Sequence, residues 1–162
     1  MPKRTLNLDE IDRDLLEELQ TDAGRTLREL GDVVGLSPSA VQRRIEGYRS
    51  SGVLARQVAV LDTSLIPNMV MAVVLVTLER ESPRHHAAFR KRLLAAPEVQ
   101  QAYDVTGEWD YVVIITASGL PHYREVGERL FAEAPNVRKY TSMFVLSPER
   151  TGSFVPVREH PS

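Results

Sequence analysis

Apolar residues recur at helical spacing three times within residues 8–52, and this pattern predicts three amphipathic helices. Each helix has a start signal: Asp9 as a cap, a capping box from Thr26 to Glu29, and Ser37 followed by Pro38. The glycines expected to end the helices are Gly24, Gly35 and Gly52. The inward-facing stripes comprise Ile11, Leu15, Leu16 and Leu19, then Leu27, Leu30, Val33 and Val34, then Val41, Ile45 and Tyr48.

The turn between the second and third predicted helices is very short. Only Gly35, Leu36 and Ser37 lie in it, and a short glycine-containing turn between two helices is typical of a helix-turn-helix. Glutamine and arginine on the outward face of the third helix suit adenine and guanine edges in the major groove. The residues expected to contact DNA are Ser37, Ser39, Gln42, Arg43, Arg44 and Arg49. For Arg44 the alternative is an ion pair with an acid of the first helix, and for Ser37 a capping role alone.

Extended apolar segments alternate with helical ones in the second half of the chain. The predicted elements are strand 69–78, helix 83–95, strands 99–106 and 109–117, helix 120–134 and strand 137–146. Strand 69–78 is a continuous apolar run rich in β-branched residues, so we expect it to be largely buried on both faces. The order strand–helix–strand–strand–helix–strand is ferredoxin-like. Because helices cover only one face of such a sheet, an apolar second face predicts a homodimer.

The predicted fold class is therefore α+β, with an N-terminal three-helix helix-turn-helix domain and a C-terminal ferredoxin-like βαββαβ domain. Residues 1–54 are assigned to the first domain, 55–68 to a linker and 69–147 to the second domain. The tail, residues 148–162, holds three of the ten prolines and is expected to be irregular, with room for one added strand around residues 154–157.

Charge is distributed unevenly along the chain, although the net charge is only −2. Residues 5–32 carry nine acids against three arginines, whereas residues 33–57 carry four arginines against one glutamate. This reversal indicates that the basic segment faces a polyanion and that the acidic segment faces away from it.

Composition and motifs exclude several classes of protein. The absence of cysteine removes disulfides, zinc knuckles, iron–sulfur clusters and cysteine nucleophiles. The longest apolar run has eight residues, far fewer than the roughly 20 of a membrane helix, and no signal peptide is evident. We therefore expect a cytoplasmic location and no membrane partner. No nucleotide-binding or hydrolase motif occurs and the histidines lack metal-ligand spacing, so we expect no catalytic residue, metal or cofactor.

The chain resembles the Lrp/AsnC family of bacterial and archaeal transcription regulators in five segments: Leu8–Leu16, Leu19–Arg25, Gly35–Ile45, Ser51–Leu54 and Val105–Tyr111. The resemblance extends to about residue 146. It implies that a helix-turn-helix at about residues 26–45 binds double-stranded DNA, and that the second domain binds a small effector, usually an amino acid, at subunit interfaces. It also implies dimers that assemble into tetramers or octamers. Two recognition helices of a dimer would read a pseudo-palindromic operator.

The same resemblance implies an effector site at the glycine turn between the second and third strands. The implied residues are Thr106, Gly107, Glu108, Trp109 and Asp110 of the turn, completed by Met143 and Phe144 of the last strand. Asp110 or Asp104 offers a carboxylate for the ammonium of a free amino acid, and backbone N–H groups of the turn suit its carboxylate. The large side chains favour an apolar or aromatic effector; the alternative is that they only pack a dimer interface.

Two other functions stay open from the sequence. Sirohaem decarboxylases resemble this family in both domains but process a tetrapyrrole, which requires histidine or tyrosine together with arginine in a cavity. His85, His122 and Tyr123 lie on helices and show no clear convergence. The other alternative is an architectural DNA-binding protein that has no effector and little sequence preference.

Overall fold

The computed structural model describes residues 7–80 and 82–158, with only the backbone described for Ser64. The ends of the predicted first domain and of the predicted tail, residues 1–6 and 159–162, therefore lie outside the described residues. The described chain divides into two compact units. The N-terminal unit comprises residues 7–60 together with 150–158, and the sheet unit comprises residues 61–149.

The N-terminal unit contains the three predicted helices: α1 (Glu10–Thr21), α2 (Leu27–Val34) and α3 (Pro38–Ser51). The predicted caps are confirmed, because Asp9, Thr26 and Ser37 each accept a backbone N–H through the side chain. Gly35 and Gly52 end α2 and α3 with φ of 70° and 80°, a conformation that favours glycine. Helix α1 ends at Thr21, ahead of Gly24 as expected.

One apolar cluster holds the three helices together. Its fully or nearly buried members are Leu15, Leu16, Leu19, Leu30, Val41, Ile45 and Tyr48. The turn from α2 to α3 is also packed closely, because a Cβ added at Gly31 would meet the carbonyl oxygen of Leu36 at less than 3.0 Å. The helix-turn-helix geometry therefore depends on a small residue at this position.

The tail contacts α1 and belongs to the N-terminal unit. Gln20 donates to the Val155 carbonyl oxygen at 3.0 Å and accepts from the Val155 N–H at 2.7 Å. Val157 packs against the apolar cluster, and Arg158 forms ion pairs with Asp14 and Glu17. The strand that we allowed for around residues 154–157 is absent from the described part of the tail.

The sheet unit has the predicted ferredoxin-like order. Its elements are β1 (Val70–Leu78), α4 (Pro83–Leu94), β2 (Val99–Asp104), β3 (Tyr111–Ala117), α5 (Leu120–Gly127) and β4 (Val137–Phe144). The antiparallel sheet has the strand order β2-β3-β1-β4. A 3-10 turn, Thr63–Leu65, precedes β1, and a π-helical turn, Glu128–Ala132, continues α5. The predicted helix 120–134 is thus one helical segment with a change of winding.

Within a single chain the first strand is buried on one face only, so burial of its second face would require a second copy. Burial alternates along β1: Ala72, Val74 and Val76 are fully buried, whereas Val73 and Leu75 between them are only partly buried. The cause is that the core cluster, to which α4 and α5 contribute, lies on one face of the sheet. We call the other face, which includes Val73 and Leu75, the open face. Among the described residues, no helix is long and apolar enough to cross a membrane.

Candidate functional site

The exposed face and cap of α3 carry five of the six side chains that the sequence assigned to DNA. Ser39, Gln42, Arg43 and Arg49 are exposed on this helix, and Ser37 is exposed at its cap. The Ser37 hydroxyl accepts from the Ala40 N–H at 3.3 Å, so it caps the helix as expected. These positions follow from the helical repeat, because the buried residues of α3 occupy the opposite side.

The polar residues of α3 differ in how they are engaged within the chain. Gln42 donates to Glu46 at 3.0 Å, and Arg49 donates to Gln57 at 2.7 Å. Arg43 is exposed and makes no ion pair with any residue in the described ranges. Its guanidinium is therefore available for a bidentate contact with a base or a phosphate.

Arg44 faces α1 and not the exposed surface of α3. It contacts Asp9 at 2.9 Å and Asp12 at 2.5 Å, so the ion pair offered as the alternative from the sequence is the arrangement that forms. Tyr48 donates to the same Asp12 carboxylate at 2.6 Å. We therefore leave Arg44 out of the DNA contacts proposed below. The network joins the start of α1 to α3 and fixes how α3 is rotated.

The pKa of Asp12 reflects this network. Burial raises the pKa of Asp12, but hydrogen bonds from Tyr48, from the Asp9 N–H and from Arg44, together with the Arg44 charge, outweigh burial and leave it below its ordinary value. Burial raises the pKa of Tyr48, and the hydrogen bond to Asp12 raises it further. The Asp12 carboxyl group therefore stays ionised and the Tyr48 hydroxyl stays protonated, as their hydrogen bond requires.

The glycine turn of the sheet unit connects β2 to β3. Gly107 has φ of 124°, in the region that favours glycine, and the Val105 N–H bonds to the Asp110 carbonyl oxygen at 3.0 Å. The Asp110 carboxylate accepts from the Leu78 N–H at 2.6 Å, where the pairing of β1 with β4 shifts register after Thr77. Asp110 thus satisfies the backbone at a strand end, a role that the sequence pattern did not reveal.

Asp104 points to the helix-covered face of the sheet. It pairs in register with the buried Tyr111, and its carboxylate lies 3.8 Å from His86 of α4. His86 also contacts the Tyr111 hydroxyl at 2.8 Å. Burial raises the pKa of Tyr111, and the Asp104 charge raises it further. Asp104 is therefore separated from the open face.

Met143 and Phe144, predicted to complete one pocket, lie on opposite faces of the sheet. Met143 pairs with Val73 on the open face, whereas Phe144 pairs with the buried Ala72. The Phe144 ring lies edge-on to Tyr123 of α5, with centroids 4.8 Å apart. Consecutive strand residues alternate in direction, so a single strand cannot direct both at one ligand.

A cation that the sequence did not assign lies beside the turn. The Lys139 ammonium is 4.9 Å from the centroid of the Trp109 ring. Lys139 pairs with Thr77 and shares the parity of Met143 on β4, which places it on the open face. The period-two alternation of β4 was the signal that could have identified Lys139.

The other two histidines in the described ranges, His85 and His122, do not converge. His85 contacts the Ser82 hydroxyl at 2.6 Å, while His122 contacts Ser118 at 3.0 Å and lies 3.5 Å from Glu98. Within the described residues there is no group of three or more His, Asp or Glu side chains that could hold a metal ion.

Comparison with known proteins identifies both halves of the chain. A model of the AsnC-type helix-turn-helix domain matches residues 8–49, and a model of the Lrp/AsnC ligand binding domain matches residues 71–152. The HTH-type transcriptional regulator y4tD of Sinorhizobium fredii is 34% identical over 152 residues, covering 94% of this chain and 90% of that protein. The DNA-binding transcriptional activator DecR of Escherichia coli is 29% identical over 150 residues, covering 93% of this chain and 99% of that protein.

Solved structures agree with this fold over nearly the whole chain. The crystal structure of an AsnC family transcriptional regulator from Agrobacterium tumefaciens has a TM-score of 0.83 at 27% identity, covering 93% of this chain and 97% of that one. The L-Met complex of the transcriptional regulator NMB0573 from Neisseria meningitidis has a TM-score of 0.84 at 24% identity, with the same two coverages. These comparisons give no support to a tetrapyrrole-processing enzyme.

Proposed function

Because the chain belongs to the Lrp/AsnC family of helix-turn-helix transcription regulators, we propose that α3 reads its DNA sites and that an amino acid bound by the sheet unit changes this binding. One observation carries the DNA part: the exposed guanidinium of Arg43 on α3, with no ion-pair partner in the described chain. Ser37, Ser39, Gln42 and Arg49 are the proposed accompanying contacts. Arginine at such a position binds guanine through two hydrogen bonds.

A homodimer is the proposed unit that binds DNA. On the open face, Tyr103, Val112 and Ile114 extend the apolar surface of Val73 and Leu75, and Tyr103 is 51% exposed. A second copy of the chain would remove this surface from water. Two copies of α3 about 34 Å apart, or a multiple of that distance, would then read a pseudo-palindromic operator. Assembly of such dimers into tetramers or octamers is part of the same proposal.

The proposed effector site is the turn with Thr106, Gly107, Glu108 and Trp109, and we add Lys139. An amino acid needs a cation or backbone N–H groups for its carboxylate, and Lys139 lies beside the turn on the open face. Glu108 is an exposed carboxylate of the turn and replaces Asp104 and Asp110 as the proposed partner of the ammonium. Met143, exposed on the open face, is retained, whereas Phe144 lies on the other face.

The first experiment tests DNA recognition. Duplexes selected from a random pool should yield a pseudo-palindrome, and Arg43→Ala should weaken binding to it by roughly 5- to 150-fold, corresponding to about 1–3 kcal/mol for one bidentate base contact. The preference at the contacted base should relax as well. The exposed Arg124 of α5 supplies the control Arg124→Ala. Unchanged affinity and base preference in Arg43→Ala would show that α3 is not the reading helix.

The second experiment tests the effector. Trp109 is the only tryptophan, so its emission can be recorded while each of the twenty amino acids is added up to millimolar concentration. Apolar amino acids come first, because Trp109 and Met143 are apolar and because L-methionine is bound in the Neisseria complex. The affinity obtained from a saturable change should fall about tenfold or more in Lys139→Met, since a hydrogen bond between charged groups is worth about 1.5–3 kcal/mol. The control is Arg138→Met, on the neighbouring position of β4.

The two parts of the proposal can fail separately. Selection of a defined operator without any response to amino acids would refute the effector site and leave DNA recognition intact. Binding with little sequence preference and no response to amino acids would favour the architectural alternative.

A further inference from the structure

Helix α4 of the sheet unit carries an unusually dense group of cations. Arg84, Arg90, Lys91 and Arg92 lie within its twelve residues, and the helix has no acidic residue. Arg84, Arg90 and Lys91 are exposed, whereas Arg92 is partly buried and donates to the Arg129 carbonyl oxygen at 2.5 Å. The buried side of the helix is formed by Phe89 and Leu93, which face the core. The charge is therefore concentrated on the outward face.

The exposed cations of α4 have no ion-pair partner among the residues that the structure describes. Arg84, Arg90 and Lys91 form no ion pair with residues 7–80 or 82–158, whereas Arg129 on the neighbouring helical segment contacts Glu98 at 2.8 Å. Arg84 and Lys91 lie seven residues apart on the same side of the helix, about 10.5 Å along its axis. Ala87 between them is exposed and small, so it leaves room for a polyanion to approach.

The N-terminal unit is poorly equipped to neutralise phosphates alone. Its described residues, 7–60 and 150–158, contain nine arginines against ten acids. Arg25 pairs with Glu18, and Arg44 pairs with Asp9 and Asp12. Phosphate contacts dominate the affinity of proteins for DNA, so cations outside this unit would add substantially to binding.

We propose that Arg84, Arg90 and Lys91 of α4 form a second DNA-binding surface, which contacts phosphates of the bound duplex beyond the bases read by α3. Its partner is double-stranded DNA because the duplex held by α3 is a polyanion and these exposed cations have no ion-pair partner among the described residues. Contacts of this kind carry no sequence information and depend strongly on salt. The inference rests on the proposed function, because it assumes a duplex already held by α3.

The test compares a long and a short duplex that contain the same selected operator. Binding of the full-length protein to fluorescein-labelled duplexes of about 60 and about 20 base pairs is measured by anisotropy between 50 and 200 mM KCl. The test variant is Arg84→Gln/Lys91→Gln, since glutamine preserves helix propensity. The matched control is Arg124→Gln/Arg138→Gln, which removes two exposed arginines elsewhere in the sheet unit.

On the long duplex, the test variant should lose about 1.8 from the slope of log affinity against log salt for each protomer that contacts DNA, because each phosphate contact contributes about 0.9. Raising salt from 50 to 200 mM would then weaken the parent about 12-fold more than the variant, per contacting protomer. On the short duplex, which offers fewer phosphates, the loss of slope should be no larger than on the long duplex. The charge reversal Arg84→Glu/Lys91→Glu should weaken binding to the long duplex further.

Three results would overturn this inference. One is an unchanged slope on the long duplex, and another is an equal loss of slope in the control variant. The third comes from a parallel measurement of binding to phosphatidylserine-containing vesicles. If the test variant binds the long duplex like the parent but no longer binds the vesicles, a membrane surface is the partner. Failure of the parent protein to bind any selected duplex would instead refute the proposed function, so the two failures are distinguishable.

Discussion

Removing one hydroxyl from the network between α1 and α3 should destabilise the N-terminal unit measurably. Tyr48→Phe deletes the donor that contacts Asp12 at 2.6 Å and keeps the buried ring in place. The Asp12 side chain is only 14% exposed, so water cannot fully replace the lost hydrogen bond. A hydrogen bond to a charged group contributes about 1.5–3 kcal/mol, and we expect a loss of unfolding free energy near the lower end at pH 7.

The loss should depend on pH in a defined direction. Burial raises the pKa of Asp12, but the hydrogen bond from Tyr48 and the contacts from Asp9 and Arg44 leave it below its ordinary value. A carboxyl group whose folded-state pKa is lowered adds stability above its unfolded pKa of about 3.9, and this stability disappears as pH falls through the folded-state pKa. The difference between Tyr48→Phe and the parent should therefore shrink below about pH 4.

Urea unfolding followed by far-UV circular dichroism, at pH 7 and at about pH 3.5, measures the loss of unfolding free energy in Tyr48→Phe and its change with pH. The matched control is Tyr123→Phe, because the Tyr123 hydroxyl donates at 2.5 Å to Ser142, a neutral acceptor. That variant should lose about 0.5–1.5 kcal/mol without this pH dependence. A loss below about 0.5 kcal/mol for Tyr48→Phe at pH 7, or an equal loss at both pH values, would refute an ionised Asp12 as its partner.

Further predictions concern glycines and the strand end. Gly31→Ala should destabilise the N-terminal unit by about 1–3 kcal/mol in urea unfolding, because the new Cβ would clash with the Leu36 carbonyl oxygen. Gly47→Ala, in α3 with open space around it, should instead stabilise by up to about 1 kcal/mol; destabilisation by both would contradict the clash as the cause. Asp110→Ala should lower the free energy of unfolding by about 1–3 kcal/mol without any effector, because the Leu78 N–H loses its acceptor. An unchanged unfolding transition, followed by Trp109 emission, would argue against this structural role.

Local features of the sequence determined the helices and the order of the strands. The capping box from Thr26 to Glu29 and the left-handed Gly35 act within a few residues of their own helices, so reading the chain locally was sufficient to find them. The outward position of Arg43 follows from the same helical period that buries Val41 and Ile45. These are the features that carried the prediction of a helix-turn-helix, and the structure confirms them.

The partners of charged side chains were decided only in the tertiary structure. Arg44 and Asp12 are 32 residues apart, and so are Leu78 and Asp110, and no local pattern indicates that either pair meets. The same holds for Lys139 beside Trp109, which strand pairing brings together. An ionisable group can bond to any complementary group that the fold brings near, whereas a helical stripe or a cap depends only on its neighbours along the chain. The sequence by itself therefore specified the elements, and the fold specified which charges remain available for DNA and effector.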